Sequence, residues 1–515
     1  MSESLLVGGW VVTGVDDRKR ANVLRDAAVV HRDGMVVEVG PSAAMRRKYP
    51  LASVDGSADH AILPGFVNSH HHIGVTPLQL GTPDYPLELW LPNRLSERAV
   101  DLYLDTLYSA FEMIASGITT VQHLHAWLPR EPLEQLHNSS TKVLEAYRAI
   151  GMRASYSFMV RDQNRVVYEA DAEFLKRLPA ETAKVLAAFL ATTEVPFEDF
   201  LTLFEMLSKE NEGQNLTRIQ LAPANLQWCS DDALLALKQK SDRAGVPMHM
   251  HLLETAYQKE YARRRTGTTA VKHLEKLGLL GPSMALGHGV WLTEEDIEIV
   301  ATTGTCICHN CSSNFRLRSG IAPLNMYASK GITTGMGLDE AGINDDRDML
   351  QEMRMVLRAH RVPGMIEGEV PTCPQVLRMA TEHGAMTTAF GATIGKLESG
   401  RFADAVMINV KRAFYPYQDD DVPMLDALIQ RAKTDSVDAV FVNGNKIYEN
   451  GKFTRVDRDK VLAELAEALS RPRTEAENHR RELRRLVVPH VEAFYRDYLV
   501  DTKDREPFYT PSSKT

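Results

Sequence analysis

Three consecutive histidines, His70-His71-His72, close the stretch Pro64-Gly65-Phe66-Val67-Asn68-Ser69, which reads as a turn followed by a short apolar strand. Side chains alternate along a strand, so His70 and His72 share one face and His71 points to the other. Two neutral imidazoles side by side make half of a metal site. Further groups of the same kind recur at the ends of later predicted strands. Val246-Pro247-Met248-His249-Met250-His251 ends in His251, and Glu254 follows three residues on. Leu286-Gly287-His288-Gly289 presents His288, and Gly335-Met336-Gly337-Leu338-Asp339 presents Asp339. Three imidazoles and a carboxylate are ligands that a divalent ion such as Zn2+ accepts, with a position left for water. The ion lowers the pKa of that water, Glu254 is placed to shuttle protons, and His288 to orient water or substrate.

The elements that must position these groups follow a repeating pattern. From Pro64 to about Thr393, short apolar runs alternate with longer helical stretches, the signature of βα repeats around a parallel sheet. Predicted strands cover 118–121, 219–222, 246–251, 284–288, 305–308 and 333–338. Ser96 caps a helix over 97–115, Ser230 caps a helix opening with Asp231 and Asp232, and Thr293 with Asp296 forms a capping box. A long basic helix is expected from 255 to 279. In α/β barrels the chemistry sits at the C-terminal strand ends. The fold class expected from this pattern is α/β, with βα repeats around a parallel sheet over 63–393. Both chain ends, 1–62 and 394–456, have β texture, with turns at Asp33-Gly34, Asn443-Gly444 and Asn450-Gly451, and are expected to build one small β-sandwich. Residues 457–515 are expected to form a charged helical extension divided at Pro472 and Pro489, in which Arg480-Arg481-Glu482-Leu483-Arg484-Arg485 is a solvated helix face, with an anion site as the alternative. Leu462, Leu465 and Leu469 share one helical face and are expected to pack on a neighbouring subunit.

Composition narrows the function. Of 515 residues, 44% are apolar and 25% charged, as in an ordinary globule. The net charge of −9 argues against nucleic acid or an anionic membrane as partner. No apolar run reaches spanning length and the N-terminus lacks a signal-peptide pattern. Five cysteines suit reduced thiols and a cytoplasmic location.

The stretches 64–72, His251-Leu252-Leu253-Glu254-Thr255, His288-Gly289-Val290-Trp291-Leu292, His309-Asn310-Cys311-Ser312-Ser313-Asn314, Gly337-Leu338-Asp339 and 395–404 together resemble the amidohydrolase superfamily. The similar branch holds triazine hydrolases, S-adenosylhomocysteine deaminase, guanine deaminase and 8-oxoguanine deaminase. The resemblance implies a (β/α)8 TIM barrel over 63–393 beside the β-sandwich, and one mononuclear divalent metal per subunit, Zn2+ or Fe2+, on His70, His72, His251 and Asp339. It implies Glu254 and His288 as the proton-handling pair, with Asp339 able to take a proton from the water. The reaction expected is hydrolytic deamination of an amino-substituted N-heterocycle of purine, pterin or triazine type. Hydrolysis of a urea, carbamate or amide C–N bond, and hydrolytic dechlorination of a triazine, keep the same ligands and are the alternatives. A non-catalytic scaffold is a third reading, disfavoured because no member of the ligand set is missing. Relatives of this kind are commonly homodimers or higher homo-oligomers.

S-adenosylhomocysteine deaminase relatives carry a Pro-His pair after the strand that corresponds to 219–222, where this chain has Pro223-Ala224, which counts against an adenosine-type substrate. Asn225, Gln227 and Trp228 follow and are candidates for the pocket wall. Gln79 and Trp90, in the loop after the first strand, are candidate substrate contacts, with Trp90 suited to stacking on a flat ring. Asp84, Tyr85 and Glu88 share that loop. His123 and His125 at the second strand end, and His309 at a later one, complete the candidate pocket. Cys306, Cys308 and Cys311 with His309 could be read as a second metal site, but small buried thiols are the expectation.

Overall fold

The computed structural model describes residues 3–16, 19–72, 74–125, 132–362 and 370–499. Part of the expected C-terminal extension, 500–515, lies outside the described residues.

Eight short parallel strands carry the site. Phe66–His71, Ile118–His125, Arg153–Val160 and Thr217–Ile219 form one ladder, and Met248–Leu252, Met284–His288, Cys306–His309 and Thr334–Met336 form another. These segments are buried on both faces, which suits parallel strands covered by helices, although several of them carry polar residues. The ladders meet at two single-residue parallel bridges, Leu221 with Met248 and His71 with Asp339. At the second seam the Asp339 amide donates to the His70 carbonyl at 2.8 Å. The result is a TIM-barrel-like arrangement of four plus four strands rather than one uninterrupted ladder. Across the second ladder His251 pairs with Gly287, Gly287 with Cys308, and Cys308 with Gly335, so the carboxyl ends lie level.

The two ends of the chain share one sheet of eight strands, as expected from their β texture. Its order runs from Lys452–Phe453 through Asn445–Glu449, Val437–Val442, Ala405–Asn409, Ser53–Pro64, Ser4–Val15 and Ala21–Arg32 to Met35–Pro41. The hydrogen bonds follow one continuous path instead of two separate layers. Both faces are nonetheless covered: Leu6, Val11, Ala27 and Val29 pack on one apolar cluster, and Leu5, Val7, Ala28 and Val30 on another. The hairpin at Asp33-Gly34 has left-handed φ at both positions, 51° and 81°, the turn its sequence demands. A fully buried ion pair ties sheet to barrel, with the Arg153 guanidinium gripping both Asp404 oxygens at 2.8 and 2.9 Å.

Ser230 and Thr293 cap their helices as their sequences predict. Three expected elements differ. The helix predicted over 97–115 begins at Leu102, because Asp101 caps it by accepting from the Tyr103 and Leu104 amides. The basic helix over 255–279 is two helices, Ala256–Thr266 and Ala270–Lys276, broken where Gly267 turns left-handed. In the tail, Arg458–Ser470 and Glu475–Arg496 are helical, and Pro489 lies inside the second without dividing it. Leu465 is buried and Leu469 half-buried against Val75, Leu80 and Leu104 of the same chain, so that face is not left for a neighbouring subunit. Nor is the arginine run simply solvated, since Arg484 donates to the Asn93 side chain at 2.8 Å.

Candidate metal centre and active-site cavity

His70, His72 and His251 bring their Nε2 atoms within 3.0–3.1 Å of one another. His72 Nδ1–H donates to the Leu124 carbonyl at 2.7 Å and His251 Nδ1–H to the Ala224 carbonyl at 3.0 Å. A neutral imidazole has one N–H, so in that form both rings present bare lone pairs to each other. Asp339 adds a carboxylate oxygen 3.1 Å from His72 Nε2 and 3.5 Å from His70 Nε2. Acceptors converging in a buried place are stable only around a shared cation, and this donor set, three imidazoles and one carboxylate, fits a divalent metal ion. Burial and the neighbouring imidazoles push His70 and His251 well below the ordinary histidine range, which keeps their lone pairs available.

Glu254 and His288 flank this cluster. His288 Nδ1 faces the Asn314 amide oxygen at 2.9 Å, and its Nε2 accepts from Asn310 at 3.2 Å. That Nε2 lies 3.9 Å from both Glu254 Oε2 and Asp339 Oδ2. Burial, with Asp339 and Glu88 nearby, raises Glu254 well above the usual carboxylate range, which favours its protonated form. Burial pushes Asp339 the same way, yet the adjacent His72 and His288 imidazoles and the Ser313 hydroxyl, which donates to its Oδ2, hold it below its ordinary value. Two carboxyl groups in one site are thus driven apart, one acid and one base. Leu253, His288 and Asp339 all hold left-handed φ angles, 51°, 70° and 55°. Such backbone costs about 1–3 kcal/mol per residue and clusters where side chains must be aimed.

A cavity of about 560 Å3 opens above these groups. His72, His251, Glu254, His288 and Asp339 line it, as do Trp90, His123, His125 and Trp228. Among the described residues, His123 Nε2 and His125 Nδ1 are buried without a hydrogen-bond partner. Leu87, Leu91, Leu95, Val143, Met159, Phe189 and Leu317 make the remaining wall mostly apolar.

Four of the residues expected at this pocket, Gln79, His309, Asn225 and Gln227, do not line it. Gln79 does not reach the cavity, because its side chain completes a capping box with Thr76 and donates to the Tyr108 hydroxyl at 3.0 Å. His309 also points away, with its Nε2 2.8 Å from that of His360. Asp84 is held by Arg316 at 3.0 Å, and Glu88 by Thr255 and Tyr168. Asn225 and Gln227 are buried beside Trp228 outside the lining. Cys306, Cys308 and Cys311 are buried free thiols, as expected. His309, Cys311 and His360 do stand close enough to form a three-donor cluster, a different set from the one weighed in the sequence.

The sequence reading passed over His249, whose Nε2 lies 2.9 Å from His70 Nδ1 and so fixes which nitrogen of His70 faces the cluster. The signal was present: His249-x-His251 repeats the spacing of His70-x-His72. It also passed over Asn310, Asn314 and Ser313, which orient His288 and Asp339.

Four converging metal-type ligands at the mouth of a parallel α/β barrel, with a protonated glutamate beside them, define a metal-dependent hydrolase class of site. Residues 61–447 match the model of the amidohydrolase family, and the chain belongs to that family. Residues 27–52 also match an imidazolonepropionase-like composite domain of bacteria. The chain is 29% identical to a 5-methylthioadenosine/S-adenosylhomocysteine deaminase of Pyrococcus furiosus, over 84% of this chain and 93% of that protein. It shares its fold with a zinc-bound adenosine deaminase of Xanthomonas campestris, at TM-score 0.74 and 22% identity over 94% of this chain and 99% of the other. A triazine hydrolase from Arthrobacter superposes at TM-score 0.78 and 22% identity, over 92% of this chain and all of the other.

Proposed function

We propose that this protein is a metal-dependent aminohydrolase that deaminates an amino-substituted N-heterocycle, with His70, His72, His251 and Asp339 as the metal ligands. The observation that carries the reading is the convergence of bare imidazole nitrogens and Asp339 beside a carboxyl group kept protonated. The kinship with adenosine-type deaminases supports it. When bound, a divalent ion, Zn2+ first and Fe2+ as the alternative, supplies a water acidified towards neutrality. Asp339, held in its charged form, accepts a proton from the attacking water. Glu254 donates a proton to a ring nitrogen of the substrate, which makes the amine-bearing carbon electrophilic. His288, aimed by Asn310 and Asn314, takes up at Nε2 the proton that Asp339 accepted from the water and passes it to the departing amine. Trp90 and Trp228 sandwich the flat ring, and the unpartnered nitrogens of His123 and His125 read its polar edge.

The three-part organisation into 1–62 with 394–456, 63–393 and 457–515 is part of this reading, as are a closed barrel, a cytoplasmic location and a homodimer or higher homo-oligomer. Light scattering checks the last. The function itself is tested by incubating metal-replete protein with a panel of aminopurines, aminopterins and aminotriazines. Ammonia release from at least one class is expected. Release of chloride from a chlorotriazine, or of amine from a urea or amide, with no ammonia from any heterocycle, contradicts it.

A further inference from the structure

The C-terminal helix, Glu475–Arg496, lies beyond the part of the chain that matches the family, yet it reaches the active-site cavity. It packs on Leu87–Asn93 and on Arg94–Ser96, the segment that supplies one cavity wall. Arg473 donates to the Ser96 carbonyl at 3.0 Å, and Glu477 accepts from the Ala99 amide at 3.0 Å. This docking places Arg480 in the cavity lining beside Arg98.

The charges at this wall do not balance. Arg94 is matched by Glu97 and Glu340, and Arg471 by Glu477. Arg98 and Arg480 have no carboxylate within 4.0 Å among the described residues, in a chain whose net charge is −9. Arg98 spends one nitrogen on the Arg471 carbonyl and keeps a buried Nε without a partner. Arg480 makes one long contact, 3.4 Å, to the Glu97 carbonyl. Two guanidinium groups on the wall of a largely apolar cavity, with donors to spare, form a receptor for an anion, and the planar fork of arginine matches a carboxylate.

We infer that the cavity selects a substrate bearing an anionic substituent on its heterocycle, and that Arg98 and Arg480 are the specificity residues that bind it. This deepens the aminohydrolase reading and rests on it for the heterocycle. Arg480 ties the C-terminal extension to substrate choice, so the extension is part of the active site and not an appendage.

The test uses full-length metal-replete protein and matched pairs of amino-heterocycles on purine, pterin and triazine scaffolds, each as the carboxylic acid and its carboxamide. Binding is measured by titration calorimetry at low salt. On the tightest-binding scaffold the acid should bind at least ~10-fold better than the amide. R98Q and R480Q should each remove about 10-fold of the acid's affinity, leaving the amide's affinity and the melting temperature unchanged, and R480K should restore part of it. Added salt should shrink the wild-type preference. Equal affinity for acid and amide on every scaffold, or a preference that survives in R98Q/R480Q, overturns the inference. Ammonia release separates the two readings. Deamination of an amide with no acid preference leaves the function standing and removes the anion site. Acid preference with no deamination does the reverse.

Discussion

Glu254 is the residue on which the proposed proton traffic turns, because burial and the nearby Asp339 keep its proton on. Glu254→Gln retains the shape and the metal ligands but has no proton to give. Turnover should fall by about 10² or more with metal content unchanged, as measured by steady-state kinetics alongside elemental analysis. The sign of the pH dependence follows from the raised pKa. The acid is competent below it, so activity is kept on the acidic side and lost as pH rises through it, and the variant should lack that alkaline limb. His249 acts through another residue, since it fixes the tautomer of His70 at 2.9 Å. His249→Leu should weaken metal affinity about 10–100-fold, read by competition with a chelating dye, while the fold persists. At this scale the sequence was readable wherever strand alternation and strand ends coincide, which placed His70, His72, His251, Glu254, His288 and Asp339 together. It misplaced His309 because the residue is one step out of phase with Cys308, which sits near His70 and His249. It misplaced Gln79 because a loop position does not reveal that the side chain is spent on a helix cap.

The helix Met349–Ala359 supports the site from outside the barrel. Its Glu352 accepts from the Ser312 amide at 3.0 Å and from the Ser312 hydroxyl, holding the short helix Cys311–Arg316 that carries Ser313 and Asn314. Burial, partly offset by those bonds, pushes the Glu352 carboxyl up to about 7. The folded state therefore binds its proton more tightly than the unfolded chain does. Stability from this group is present below the unfolded pKa near ~4.3 and is lost as pH rises towards 7, by on the order of a few kcal/mol. Glu352→Gln should flatten that slope in denaturant unfolding followed from pH 5 to 8. A variant with the parent slope contradicts the assignment. Local signals served well for elements: Ser230 and Thr293 cap where their sequences say, and Asp33-Gly34 turns its hairpin. They failed where a single backbone angle decides, as at Gly267, whose left-handed φ of 70° splits a continuous basic pattern into two helices.

For the whole molecule, β texture at both ends pointed to one shared β unit, expected as a sandwich, and the strands within 4–64 and 405–453 instead pair in one continuous sheet. The course of the tail was not legible. Its contacts pair residues far apart in sequence, Arg484 with Asn93 and Tyr495 with Tyr168, and no periodicity encodes them. The leucine stripe looked available to a second subunit, but Leu465 is buried against Val75 and Leu80 of its own chain. Barrel and tail thus both line one cavity, with His72, His251, His288 and Asp339 from the strand ends and Arg480 from the tail. The most direct measurement is ammonia release by full-length protein stripped with a chelator and then reloaded, with metal content followed throughout. Activity should fall to background in the stripped protein and return on adding one equivalent of Zn2+ or Fe2+. Full activity in protein shown to be metal-free contradicts the account.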